Sequence, residues 1–304
     1  MDEVFCTIVS RLRAFQAIAL FMSLKNVSPK YQIYVLCVDS STYNLFSKMK
    51  FSNVRLVRAH ELSDKKLEEV KKQRKLNEYC WTLKPVFIER LFLENPSITR
   101  VTYIDADLFF WNNPSIIFIN QPDSSVLLSR GDIIIPMLPL PLIKLLQDLM
   151  GLYNSGFISF RRHKDAQECL SWWKNRCLDS CISTPESGKF GDQKYLDEMP
   201  KLFPGVDEIT TPGVNIGHWN NANHQFDFFD GVLCADNKKL ICYHFSGYRF
   251  LRNGDILKIH ENDRVYIPFF YSIYNEILVG IIQSIGAVDP TFDGFSTDED
   301  VMTK

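Results

Sequence analysis

The sequence predicts an α/β domain of the doubly wound kind, on three observations. Short apolar runs, EVFCTIV, QIYVLCV and VRLVR, alternate with stretches of helical periodicity through the first third of the chain. The runs are apolar on both faces, as strands are when helices cover both sides of a parallel sheet. A further run, VTYI, leads straight into Asp105 and Asp107, and open parallel sheets bind ligands beyond the carboxyl ends of their strands.

The elements follow in order. After EVFCTIV, residues 11–25 carry Leu12, Phe15, Ala19 and Met22 at helical spacing. Residues 64–77, DKKLEEVKKQRKLN, read as a solvated helix laced with Glu–Lys pairs. Residues 81–94 read as a more buried helix with Pro85 in its first turn, where a missing N–H is tolerated. RVTYIDADLFF and SVLLS are strands. Residues 133–151 are apolar but broken by Pro136, Pro139 and Pro141, which predicts a loop and helix over the mouth of the site. NSGFISF is a strand, and 165–180 a helix whose Trp172 and Trp173 are assigned to packing. STPESGKFGDQKYLDEMP leads into a short helix, 206–238 reads as loops and short strands, and LICYHFSG is the last predicted strand. An amphipathic helix near 268–286, with Phe270, Ile273, Ile277 and Ile281 on one face, is expected to form core or a dimer contact, and the acidic tail to fray. No repeat or linker divides the chain, so one domain is expected.

Composition excludes several classes. At 46% hydrophobic and 23% charged, the 304 residues have a globular balance. Lys and Arg number 34 against 36 Asp and Glu, a net charge of -2, without the basic excess of a nucleic-acid-binding surface. MDEVFCTIVSRLR does not read as a secretory signal, and no run reaches the roughly 20 apolar residues of a spanning helix. Eight cysteines are too dilute for a disulfide scaffold. Cys169, Cys177 and Cys181 lack a CxxC pair, and His163 precedes their helix, so they read as core rather than zinc ligands. A reducing cytoplasmic setting is expected.

Asp105 and Asp107 carry the chemistry. Residues i and i+2 of an extended chain share a side, and two carboxylates held together repel unless a cation lies near them. Oxygen ligands suit Mg²⁺ or Mn²⁺, which also bridge to a diphosphate. A bare D-x-D more often serves as a pair of turn-capping aspartates.

The surrounding motifs resemble, in order, those of nucleotide-sugar glycosyltransferases of the GT-A fold, close to the family 8 type that includes glycogenin and bacterial galactosyltransferases. CTIVS resembles the first nucleotide-binding strand, YCWTLKP with VTYIDADLFFWNNP the segment ending in the D-x-D, YNSGFISFRR the N-S-G strand, GDQKYLD the D-Q helix start, and YHFSG the H-x-x-G element. The resemblance covers most of the chain. It implies a single Rossmann-like domain with a mostly parallel sheet flanked by helices. Residues 1–286 would form it, about 1–120 binding the nucleotide and about 121–286 serving the acceptor and completing the metal site, with 287–304 as the tail.

Carried over residue by residue, the resemblance implies that Asp105, Asp107 and His244 ligate Mn²⁺ or Mg²⁺. Thr7, Ala106 and Gly247 would line the donor, with Gly247 letting backbone approach the phosphate. Lys84 would face the diphosphate, Asn154 and Ser155 the sugar hydroxyls, and Asp192 with Gln193 the reactive face of the sugar; Asp192 also suits a helix N-cap. The family often continues H-x-x-G-x-x-K-P-W. Here Phe250 stands at the lysine position, leaving Arg249 or Arg252 as phosphate clamp. The implied activity is metal-dependent transfer of a sugar, with retention, from a nucleotide-diphosphate donor (a UDP-sugar above all) to a glycan or glycolipid acceptor, with peripheral membrane contact compatible with the latter. NIGHWNN suits an acceptor surface or a buried tryptophan, and His218 and His224 are expected to stay outside the metal set. The alternatives are a catalytically silent nucleotide-sugar-binding domain and a sugar-nucleotide pyrophosphorylase, although VSRLRAF lacks the glycine-rich loop of the latter. No G-x-G-x-x-G supports a dinucleotide oxidoreductase.

Overall fold

A computed structural model describes residues 2–297 except 63, 136–137, 187 and 259–266. Pro136 and residues 298–304 of the acidic tail therefore lie outside the described residues. Strands β1 (Asp2–Val9), β2 (Ile33–Cys37), β3 (Val54–Arg58) and β4 (Ile98–Ile104) are connected through helices α1 (Ala14–Val27), α2 (Ser40–Met49), α3 (Lys65–Gln73) and α4 (Leu76–Glu94). The chain then leaves the sheet through β5 (Leu108–Phe110) and α5 (Ser115–Asn120) and returns as β6 (Val126–Arg130). After α6 (Leu140–Met150) come β7 (Tyr153–Arg161), α7 (Lys164–Asp179), α8 (Met199–Leu202) and β8 (Val206–Glu208). The seven-stranded sheet has the order β3-β2-β1-β4-β7-β6-β8. Only β7 runs against the rest, so the sheet is mostly parallel as expected.

Alternation on β1 explains the two-sided apolar runs. Val4, Cys6 and Ile8 enter the core beneath α3, α4 and α7, whereas Phe5 and Val9 enter the core beneath α1 and α2. The remaining chain forms small sheets. A meander contains β10 (Phe226–Phe229), β11 (Val232–Ala235) and β12 (Lys238–Lys239); β13 (Cys242–His244) lies between β5 and β9 (Ile216–Gly217). LICYHFSG is not the last strand, because β14 (Tyr248–Phe250) pairs with β15 (Ile256–Lys258) before α9 (Phe270–Val288).

Four local expectations change. The charged stretch at 64–77 is two helices, because Arg74 turns inward and donates to the Cys177 and Leu178 carbonyls at 2.6 and 2.8 Å, capping the end of α7. Pro85 lies inside α4, which starts nine residues earlier at Leu76. The buried face of α9 is Phe270, Tyr271, Tyr274, Leu278, Ile281 and Ile285, with Ile273 and Ile277 at its margin, so the helix is core. The fold also continues past residue 286. Phe292 and Phe295 rest on the Phe15 ring, Asp289 accepts from Lys48 at 2.6 Å, and Ser296 N–H donates to the Phe250 carbonyl at 2.7 Å. Among the described residues no helix is long and apolar enough to cross a membrane.

Trp173 links packing to the site. It is fully buried, stacks on Phe160 at 5.9 Å, and its indole N–H donates to the Asp192 carbonyl at 2.9 Å. Trp172 meets Tyr195 and Phe203 edge-on, as a packing residue should. Replacing Trp173 with Ala is expected to cost about 3–5 kcal/mol in urea unfolding; a loss below about 1 kcal/mol would contradict this packing role.

Candidate functional site

The D-x-D aspartates do not sit on an extended strand. β4 ends at Ile104, and Asp105–Ala106–Asp107 form a turn closed by Leu108 N–H donating to the Asp105 carbonyl at 3.1 Å. The turn feeds β5, which pairs with β13 so that Leu108 lies opposite His244, and Phe245 N–H donates to the Asp107 carbonyl at 2.8 Å. This pairing carries His244 across more than a hundred residues of chain to the aspartates. His244 Nε2 lies 2.9 Å from Asp107 Oδ1 and 3.8 Å from Asp105 Oδ2. One donor atom from each of the three residues falls within 4.8 Å of the others, the one such group of metal-ligand type among the described residues.

The imidazole is held from behind. Its Nδ1 meets Asn215 Oδ1 at 3.1 Å, while Asn215 Nδ2 donates to Ser129 Oγ and to Asn154 Oδ1, both at 2.9 Å. An amide oxygen only accepts, so Nδ1 carries the proton, and neutral His244 directs the Nε2 lone pair at the aspartates. Three acceptors facing one another need a cation between them, or a second proton on the ring. The arrangement fits a divalent metal with an imidazole tautomer fixed by its outer partner. Gly156 makes room for the ring: a Cβ there would lie 2.6 Å from His244 Cε1.

In the protonated alternative, charge holds the pair. Burial pushes the Asp107 carboxyl upward, but the His244 imidazolium and its hydrogen bond outweigh that and hold it well below the ordinary 3.8. For His244, burial favours the neutral ring, while Asp107 and then Asp105 raise it above 6.5.

Lys84 is sealed inside the protein rather than facing solvent. Its Nζ lies 3.1 Å from Asp105 Oδ1 and 3.3 Å from Asp192 Oδ2, and donates to Ser155 Oγ at 3.0 Å. Burial works against its charge, yet Asp105 and then Asp192 raise its pKa above the ordinary 10.5. Asp192 Oδ2 faces it off the hydrogen-bonding direction, and burial leaves the Asp192 carboxyl raised despite Lys84. Tyr103 donates to Asp105 Oδ1 at 2.8 Å, completing the support of that carboxylate.

The other expected site residues divide into two sets. Gln193 accepts from Ser155 N–H at 3.3 Å and donates to the Met150 carbonyl at 3.0 Å, tying β7 to the end of α6. Asn154 Oδ1 is committed to Asn215 and to Gly156 N–H, so it braces His244. Ala106 is buried in the metal turn, and Gly247 takes a φ of 82°, a left-handed value suited to glycine, just after β13. Thr7, by contrast, is sealed in mid-strand with its hydroxyl lacking a protein partner; strand β1 reaches its carboxyl end only at Val9. Arg249 donates to the Tyr248 carbonyl at 2.9 Å, whereas Arg252 is exposed and pairs with Asp293 at 2.5 Å.

His218 and His224 stay outside the metal set, bonded to Ser246 and Asp236, and Cys169, Cys177 and Cys181 are buried free thiols. Sequence reasoning did not single out Tyr103, Ser129 or Gly156. For Asn215 the available signal was an asparagine following Pro-Gly-Val, where φ reaches 56°.

Two results are expected. Lys84→Met leaves Asp105 and Asp192 without their buried counter-charge and should cost about 3–5 kcal/mol in urea unfolding; unchanged stability would refute the network. In EDTA, the depressed Asp107 contributes fully above its ordinary pKa and loses this as pH falls through the folded value. The raised His244 contributes fully below its ordinary pKa and loses this as pH rises through the folded value. The stability gap between the parent and His244→Gln should therefore be widest between pH 3.8 and 6.5, and a pH-independent gap would contradict the pairing.

No family model matches the chain. In overall structure it is similar to the galactosyltransferase LgtC, at a TM-score of 0.55 and 13% identity over 92% of this chain and 96% of that one. It is also similar to the glycosyltransferase GlyE of Streptococcus pneumoniae TIGR4, at 0.53 and 12% over 98% and 67%. Mouse xyloside xylosyltransferase 1 gives 0.51 and 14% over 84% and 100%. These likenesses show the GT-A fold. In sequence, the uncharacterized protein YfnF of Bacillus subtilis (strain 168) is 49% identical over 301 residues, 99% of both chains. The uncharacterized protein YfnD of the same strain is 31% identical over 299 residues, 96% of this chain and 94% of that one. Similarity of that degree over nearly the whole length places the chain in one family with YfnF and YfnD.

Proposed function

We propose that the chain is a metal-dependent glycosyltransferase of the family 8 type. It moves a sugar from a nucleotide-diphosphate donor, a UDP-sugar, to a glycan or glycolipid acceptor with retention of configuration. The observation that carries this reading is the Asp105–Asp107–His244 group, with Asp105 half-buried and the other two buried, beyond the carboxyl end of β4 in a GT-A fold. Mn²⁺ or Mg²⁺ suits two carboxylates and an imidazole. When bound, it supplies electrostatic stabilisation to a departing diphosphate.

The chain's own residues do the rest. Asp105, Asp107 and His244 would hold the cation, with Lys84 and Tyr103 fixing the first and Asn215 the third. Asp192 binds a donor sugar hydroxyl, and Gln193, anchored to α6 and β7, supports the reactive face. Gly247 lets backbone approach the phosphates. In this reading residues up to about 120 bind the nucleotide and the following part completes the metal site, a division supported by the origin of His244 and Asn215. The exposed Leu140, Leu142 and Leu145 of α6, the helix that Gln193 ties to β7, support an acceptor with an apolar portion.

Calorimetric titration of UDP tests the donor assignment. Binding is expected with Mn²⁺ and is expected to vanish with EDTA or Asp107→Ala. Slow hydrolysis of one UDP-sugar and retention at the anomeric centre by proton NMR should follow. Silence toward UDP, GDP and CDP under every condition would remove the reading, and binding without turnover of any sugar nucleotide would reduce it to a binding domain.

A further inference from the structure

The segment after the metal-ligand histidine collects positive charge. Tyr248, next to Gly247, offers one backbone carbonyl, and two arginines donate to it: Arg13 Nη1 and Arg249 Nη1, each at 2.9 Å. Arg13 is locked there by Gln16, whose Oε1 accepts from the same Nη1 at 3.1 Å and whose Nε2 donates to the Phe245 carbonyl at 2.9 Å. Phe245 is in turn hydrogen-bonded to Asp107. The guanidinium is thus fixed against the backbone that runs from His244 to Tyr248.

Its electrostatic setting is unusual. Arg11 and Arg252 both lie by Asp293, at 3.9 and 2.5 Å, but among the described residues no carboxylate is within 4 Å of Arg13. An arginine offers a planar fork of donors suited to phosphate.

We infer that Arg13, together with Arg249, is the diphosphate clamp of this site. Arg13 takes the part for which the sequence suggested a residue after Gly247, and does so from the opposite end of the chain. The inference rests on the glycosyltransferase reading only in naming a nucleoside diphosphate as the natural ligand; the structural argument asks for a diphosphate beside the metal group.

The test uses the full chain with Mn²⁺ and two probes, UDP and inorganic pyrophosphate, in calorimetric titration. Arg13→Met is expected to weaken both by about ten- to a hundredfold, Arg13→Lys by less, and Arg252→Met not at all. Mn²⁺ binding followed by electron paramagnetic resonance should be the same in Arg13→Met as in the parent. Affinities in Arg13→Met equal to the parent's would overturn the inference while leaving the donor reading intact. If that variant does not fold, Arg13→Lys decides, and parent-like affinity for both probes overturns the clamp. A parent that binds pyrophosphate through Arg13 but no nucleotide keeps the clamp and sinks the UDP assignment. A parent that binds Mn²⁺ but neither probe removes both.

Discussion

Lys84 is the charge around which the site is assembled. An ammonium group withdrawn from water costs several kcal/mol unless opposite charges and hydrogen bonds surround it, and here the compensation comes from three separate segments. Asp105 arrives from the end of β4, Ser155 from β7, and Asp192 from the loop ahead of α8. Because Lys84 lies within α4, the helix cannot shift on the sheet without separating these partners. The same contact fixes the orientation of Asp105, one of the expected metal ligands.

A carboxylate excess follows from this arrangement. Asp105, Asp107 and Asp192 outnumber Lys84, and a neutral His244 adds no positive charge. An imidazolium at His244 offsets part of the excess: it holds Asp107 down, while Asp107 and Asp105 push His244 up. A divalent cation answers the same excess without the proton. Behind the candidate ligands, Asn215, Ser129, Asn154 and Gly156 fix the imidazole, so several residues outside the group govern its geometry.

The second half of the chain completes a site that the first half begins. β13 enters between β5 and β9 and delivers His244 to the aspartates. The segment that follows, up to Tyr248 at the start of β14, receives Arg13 from just ahead of α1, and α9 with residues 289–297 then closes over α1. Metal ligands, arginines and the terminal helix thereby belong to one continuous set of contacts.

The sequence alone determined the class of fold and pointed to the three residues of the candidate metal group. Two-sided apolar strands require covering helices, and period-two alternation is a local property legible from EVFCTIV or QIYVLCV. Asp105, Asp107 and His244 were legible because each stands in an ordered series of short motifs. What the tertiary structure decided was which charges meet. Lys84 meets Asp105, Asp192 and Ser155, and Asn154 braces Asn215, pairings that the motifs do not contain; Arg13 drew no attention in VSRLRAF. The helix break at Arg74 and the packing of Phe292 and Phe295 on Phe15 belong to the same class, because each depends on a partner about a hundred or more residues away. Local pattern reports which face of an element is apolar; the pairing of buried charges is set by the crossing of distant segments, and only the folded chain contains that information.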